Sequence, residues 1–169
     1  MKKIGIFYSY HTTKTGQAVK MLVDALGEKN IEMVNAENVT AEQIQSYDNL
    51  IFGVPTWFDG ELPNYWDEFV PELEDMTLKG KRIAIFGNGD QKNYPENFAD
   101  GIGIMADLLE ERGAKIVGYT STEGYEFEGS KALRDDRFTG LALDFENQPR
   151  QNKARIGNWA AQLKKEFVE

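Results

Sequence analysis

Five short runs of strand-forming apolar residues, separated by stretches with helical periodicity, constrain this chain more than any other feature. The runs are Ile4-Gly5-Ile6-Phe7-Tyr8, Ile31-Glu32-Met33-Val34, Leu50-Ile51-Phe52-Gly53-Val54, Arg82-Ile83-Ala84-Ile85-Phe86 and Lys115-Ile116-Val117-Gly118-Tyr119. Short, nearly continuous apolar runs of this kind read as strands buried on both faces. Between them, apolar positions recur at helical spacing: Ala18, Val19, Leu22, Val23 and Leu26 before Gly27, then Ile104, Met105, Leu108 and Leu109 before Gly113. A further set near the end comprises Ile156, Trp159, Ala160, Leu163 and Phe167. Glycine just past a periodic stretch is a helix stop. Strand–helix alternation implies parallel strands joined by right-handed crossovers, so the expected architecture is α/β: a doubly wound, five-stranded parallel sheet with helices on both faces. A chain of 169 residues supports one sizeable core, and a single domain over 1–169 is expected. The polar, Gly-containing segment between Tyr119 and Leu141 is too long for an ordinary turn and reads as an insertion beside the last strand.

Composition narrows the chemistry. There is no cysteine, which removes disulfides, thiolate catalysis and Cys-based metal or iron–sulfur sites, and fits a cytoplasmic setting. Any redox work therefore needs an added cofactor. With 19 basic against 28 acidic residues the formal charge is −9, so the summed field repels nucleic acid and favours partners with basic faces. No stretch approaches the roughly 18 apolar residues of a membrane span, and the first strand follows Met1-Lys2-Lys3 directly. Neither a membrane nor an export signal is expected.

In an open parallel sheet, ligands bind beyond the carboxyl ends of the strands. Three such ends are legible. The first, residues 9–15, offers hydroxyls from Ser9, Thr12, Thr13 and Thr15 next to a helix start whose unpaired N–H groups suit a phosphate. Simple helix capping explains the same hydroxyls as well. The second, Pro55-Thr56-Trp57-Phe58-Asp59-Gly60-Glu61, sets aromatic surfaces directly after a buried strand, where a flat ring could stack or where Trp57 could merely cap the core. The third, Gly87-Asn88-Gly89-Asp90-Gln91-Lys92-Asn93-Tyr94, is a tight polar segment with an aromatic at its far side. Together they suit a phosphorylated planar ring.

These segments, in this order and spacing, resemble a long-chain flavodoxin along nearly the whole chain. The matches are Pro55-Thr56-Trp57 with Gly60-Glu61, then Phe86-Gly87-x-Gly89-Asp90-Gln91 with Tyr94 and Asn97-Phe98, and then Gly140-Leu141-Ala142-Leu143-Asp144 with Asn147-Gln148. The 120–139 segment looks like the loop that separates long-chain from short-chain members. The resemblance implies the flavodoxin-like sheet order 2-1-3-4-5, one non-covalently bound flavin mononucleotide (FMN), and no catalytic or metal-ligating residue. It implies that Trp57 and Tyr94 sandwich the isoalloxazine, that the backbone of 88–90 with Asp90 bonds its pyrimidine edge, and that Glu146 and Asn147 lie near the ribityl chain. The family's phosphate loop reads Thr-x-Thr-Gly-x-Thr, whereas here Tyr10, Thr12, Thr13 and Thr15 stand at the matching positions. Glycine is favoured where a backbone takes positive φ or approaches a ligand closely, so Tyr10 and Thr13 are the departures. His11 and Lys14 read as exposed loop and first-turn residues. Protonated His11 could still donate a charge-assisted bond to phosphate.

A flavin passes electrons singly or in pairs, and the protein separates those steps by hydrogen bonding and electrostatics. By resemblance, the peptide joining Phe58 and Asp59 turns its carbonyl toward flavin N5. A run of carboxylates, Asp59, Glu61, Asp67, Glu68, Glu72, Glu74 and Asp75, uninterrupted by Lys or Arg, disfavours further negative charge on the ring, which makes a low-potential carrier. The same carboxylates steer it toward basic docking faces on a reductase or oxidoreductase, and a monomer is expected. Two alternatives share this sheet architecture. A phosphoryl-accepting receiver domain needs acidic clusters where this chain has Tyr8-Ser9-Tyr10 and Val54-Pro55-Thr56. An FMN-dependent NAD(P)H oxidoreductase acting on quinones or nitro compounds is nearer, but no second nucleotide fingerprint is present.

Overall fold

In the computed structural model, which describes residues 1–169, nine strands and six α-helices are arranged around one central sheet. The strands are β1 (Ile4–Tyr8), β2 (Ile31–Asn35), β3 (Asn49–Gly53), β4 (Arg82–Asn88), β5 (Lys115–Val117), β6 (Thr120–Ser121), β7 (Leu133–Arg134), β8 (Arg137–Phe138) and β9 (Leu141–Leu143). The helices are α1 (Lys14–Leu26), α2 (Ala41–Gln45), α3 (Asn64–Asp67), α4 (Val70–Glu74), α5 (Asp100–Glu111) and α6 (Asn152–Glu166). The central order is β2-β1-β3-β4-β5 and every pairing in it is parallel.

Alternation along each strand sends side chains to two separate cores. Ile4 and Ile6 of β1, Ile51 of β3 and Ala84 and Phe86 of β4 meet α1 and α6 on one face, packing on Val19, Leu22, Ile156, Trp159 and Leu163. Phe7, Leu50, Phe52, Ile83 and Ile85 face the other way, onto Ile44, Trp66, Leu73, Met105 and Leu109 from α2 to α5. Each fully buried side chain of this size contributes about 1.5–3 kcal/mol relative to leaving it in water. Buried on both sides, β1, β3 and β4 carry no solvent face, which is why they read as continuous apolar runs, whereas edge strand β2 exposes Glu32 and Met33, contrary to the two-sided burial expected of that run.

The last strand differs from a simple fifth strand. β5 pairs with the first half of β4 (Arg82–Ala84), and β9 pairs, also in parallel, with its second half (Phe86–Asn88). The insertion leaves the sheet after Val117 and returns at Leu141, so one strand position is filled by two pieces of chain. Within it, β6, β8 and β7 form a small antiparallel sheet. The β7–β8 turn uses Asp135 and Asp136 at φ 50 and 63, the double left-handed conformation of a tight hairpin that Asp tolerates better than most residues. A cluster of Phe98, Tyr125, Phe127 and Phe138, with ring centroids 5.1–5.9 Å apart, packs the insertion onto the body. Gly103 of α5 permits that docking, because a Cβ there would collide with the Lys131 carbonyl. No helix is long and apolar enough to cross a membrane.

Candidate functional site

The three loops singled out above all leave the same edge of the sheet, after β1, β3 and β4, and the β9–α6 loop joins them. In the first, Ser9 is buried and organises the turn: its carbonyl accepts from Thr12 N (3.2 Å) and Thr12 Oγ1 (2.7 Å), and its Oγ accepts from His11 N (3.3 Å). Tyr10 N donates to Asn35 Oδ1 at the end of β2 (3.3 Å), while the half-exposed Tyr10 ring leans on Tyr8. The first helical bond of α1 runs from Gln17 N to Thr13 O (3.0 Å), and no side chain caps the helix. The N–H groups of residues 13–16 therefore bond to nothing in the chain, no acidic residue occupies the first turn, and Thr15 is buried beneath them. Such an end is a positively polarised socket for an anion.

Thr13 sits at φ −84 and ψ −54, ordinary right-handed helical backbone, and neither Tyr10 nor Thr12 takes positive φ. The conformational demand that would call for glycine is absent from this loop. Its two basic side chains reach carboxylates on neighbouring loops: His11 Nδ1 contacts Glu37 Oε2, and Lys14 Nζ contacts Glu146 Oε1.

The second and third loops and Glu146 enclose a cleft of about 160 Å³, lined by Thr56, Phe58, Asn88, Gly89, Asp90, Tyr94, Asn97 and Glu146. Its aromatic walls are Phe58 and Tyr94, exposed by 71% and 44%. Trp57 stands one residue back and half-buried, its ring edge-on to Phe58 (6.2 Å) and to Tyr65 (5.9 Å). Trp57 and Glu61 bond each other's backbone in both directions at 2.8 Å, closing the loop as a small hairpin with Phe58, Asp59 and Gly60 at its tip. Phe58 there has φ 49, a left-handed conformation that costs a non-glycine residue about 1–2 kcal/mol. Gly60, at φ 95, lies so close to Asp100 that a Cβ would sit 2.5 Å from its Oδ2. Pro55 is buried, and Thr56 Oγ1 accepts from Gly101 N (2.9 Å), which ties the loop to the start of α5.

The third loop is held open by hydrogen bonds rather than by packing. Gly87 and Asn88 finish β4 against Ala142 and Leu143, Gly89 N donates to Leu143 O (2.8 Å), and Asn88 Oδ1 accepts from Phe145 N (3.0 Å). Asp90 accepts from Lys92 N, Asn93 N, Asn93 Nδ2 and Asn147 Nδ2 at 2.8–3.2 Å. Burial pushes the Asp90 carboxyl upward, but these four donors outweigh it and hold it below the usual carboxylate range. The Asp90 N–H itself bonds to no group in the chain. Phe98, in contrast, is buried in the insertion's aromatic cluster and lines no part of the cleft.

Several supporting residues were not among the sequence-derived site residues. Fully buried Asp144 accepts from Gln91 N, Gln91 Nε2, Glu146 N, Asn147 N and Asn147 Nδ2, so a single carboxylate fixes both the 90s loop and the β9–α6 loop. Buried Asp100 accepts from Lys131 N (2.7 Å) and Asn97 Nδ2 (3.1 Å), joining insertion, third loop and Gly60. A signal existed in principle, since both are carboxylates beside apolar runs, but their distant partners, Gln91 for Asp144 and Lys131 for Asp100, lie 53 and 31 residues away. Tyr65, behind Trp57, has a buried hydroxyl without a partner, and burial, with Glu37 nearby, raises its pKa.

The donor set fits a phosphorylated flat ring: free backbone N–H groups at one end, aromatic faces and a free N–H at the other, with Glu146 between. The flavodoxin family model matches residues 6–159. A curated flavodoxin of Nostoc sp. strain PCC 7120 is 44% identical over 166 residues, covering 98% of each chain. Flavodoxin 1 of Escherichia coli strain K12 is 41% identical over 164 residues, covering 96% of this chain and 93% of that one. Among solved structures, a Fusobacterium nucleatum flavodoxin bound to flavin mononucleotide superposes with a TM-score of 0.94 at 37% identity, covering 99% of this chain and all of its own. On sequence across its length and on fold, the chain belongs to the flavodoxin family.

Proposed function

We propose that this chain is a single-domain, long-chain flavodoxin of the cytoplasm, a monomer that carries single electrons on one non-covalently bound FMN between redox proteins with basic docking faces. The observation that carries the reading is the meeting, at one sheet edge, of an uncapped helix N-terminus and a cleft walled by aromatics. The curated relatives named above are flavodoxins, which favours a carrier over the NAD(P)H oxidoreductase alternative.

When bound, FMN supplies one-electron chemistry that no side chain of this cysteine-free chain can supply. The chain's own residues set its terms. The N–H groups at the start of α1, with the hydroxyls of Thr12 and Thr15, receive the phosphate. Tyr94 on one side and the edge-on pair Trp57 and Phe58 on the other flank the ring and exclude water, while Asn88, Gly89 and Asp90 present backbone to its polar edge. Glu146 and Asn147 stand along the ribityl path. The left-handed Phe58 holds the 58–59 peptide under strain, so the balance between its two carbonyl orientations is set by this residue rather than by glycine. Asp59 and Glu61, on the loop that walls the cleft, each oppose added negative charge there by about 1 kcal/mol or less after screening and favour a low-potential carrier, whereas Glu74 and Asp75 lie beside Arg112 at the opposite edge of the sheet. No proton donor or base is required.

The test is an absorption spectrum of the purified or reconstituted protein with the mass of the released cofactor. One FMN per chain is expected. Apoprotein that cannot be reconstituted would defeat the reading, and steady-state NAD(P)H oxidation by the protein alone would favour the enzyme.

A further inference from the structure

We propose that Lys14 and Glu146 form a charge strap across the cofactor path, and that the phosphate competes with the Glu146 carboxylate for the Lys14 ammonium, so that the pair selects phosphorylated flavins over neutral ones. The proposal rests on the FMN reading above. Lys14 is the first residue of α1, among the N–H groups that bond to nothing else. Glu146 belongs to the β9–α6 loop, where Asp144 fixes its N–H, and lines the cleft beside Asn88, Asp90 and Tyr94. The ion pair between them therefore runs from the helix end to the cleft wall, over the interval that a ribityl chain has to cross.

The pair is built to exchange partners. Its side chains are 42% and 48% exposed, and ion pairs this wet contribute little and are easily replaced. A phosphate at the α1 N-terminus carries up to two negative charges and three acceptor oxygens, gains from the helix end as well, and outcompetes a single carboxylate. The other basic side chain of the loop, His11, is 83% exposed and engaged by Glu37, so Lys14 is the ammonium placed for the exchange. Glu146, once released, faces the anion and opposes it. A flavin without phosphate meets the same strap along its ribityl chain but offers Lys14 no anion in exchange.

The experiment titrates FMN and riboflavin into the full chain stripped of flavin, as the unmutated protein, Lys14→Met, Glu146→Gln and the double variant, following flavin fluorescence at equilibrium and in stopped flow. Glu146→Gln should bind FMN about two- to fivefold more tightly and faster, with a smaller change for riboflavin, which crosses the same strap but brings no phosphate to be repelled. Lys14→Met should weaken FMN about tenfold or more without weakening riboflavin. In the double variant the gain from Glu146→Gln should shrink, because no ammonium remains to be released. Equal weakening of both flavins by Glu146→Gln would make Glu146 a ribityl ligand and overturn the strap, as would no change in FMN binding. Failure of the unmutated chain to take up FMN would instead bring down the FMN reading itself.

Discussion

Asn147 donates from Nδ2 to Asp90 Oδ1 at 2.8 Å, joining the loop after β9 to the loop after β4 across 57 residues of sequence. The bond makes the cleft's polar wall depend on the charge of Asp90, because Asn147 is donor here and a protonated carboxyl accepts more weakly.

Acidification should therefore loosen this wall. The folded-state pKa of Asp90 lies below its ordinary value of 3.8, so its contribution is fully present above that value and is lost as pH falls through the depressed one. Flavin release, followed by fluorescence, should rise in that acid window. Asp90→Asn should flatten this dependence, and a variant that releases flavin along the unmutated curve would remove Asp90 from the explanation.

Phe58→Gly and Phe58→Ala separate strain from stacking. Both remove the exposed ring, but only glycine relieves φ 49, so Phe58→Gly should be the more stable by about 1 kcal/mol in urea unfolding. Both should weaken FMN and riboflavin alike, as should Tyr94→Ala and Trp57→Ala, since all four act on the ring end.

Asp100→Ala removes a buried carboxylate and takes the acceptor from Lys131 N and Asn97 Nδ2, whose bonds to it are partly buried. The expected loss is about 0.5–1.5 kcal/mol per hydrogen bond. Denaturant titration measures it, and a change under 0.5 kcal/mol, the range of ordinary surface substitutions, would mean that the carboxylate does not fasten the insertion.

Thr13→Gly should leave FMN affinity unchanged. Thr13 already has helical backbone and makes no capping bond, so glycine restores no needed conformation and lowers stability by at most a few tenths of a kcal/mol. Tighter binding would show that Thr13 obstructs the phosphate through its side chain.

What could be read from the chain was whatever depends on periodicity. The runs at 4–8, 50–54 and 82–86 became central strands because burial on both faces leaves a continuous apolar signature. The three loops of the candidate site were legible because each follows such a strand. The pairings of His11 with Glu37, of Lys14 with Glu146 and of Gln91 with Asp144 were not, because topology alone brings those residues together. The glycine-less loop after β1 looked strained in sequence and is not, since backbone angles follow from where the helix starts and not from the motif. The left-handed angle at Phe58 carried no sequence cue at all, being imposed by the Trp57–Glu61 bridge.

The division of the last strand into β5 and β9 has a kinetic consequence. Amide groups in the first half of β4 are protected by a neighbour that follows α5 directly, whereas those of Phe86 to Asn88 depend on a segment that arrives only after the whole insertion has closed its loop. The sheet should therefore open in two cooperative units, and native-state hydrogen exchange should find the β9 end opening together with the insertion while β5 stays shut. The cofactor edge of the sheet would then be its less durable half, able to breathe without unfolding the rest.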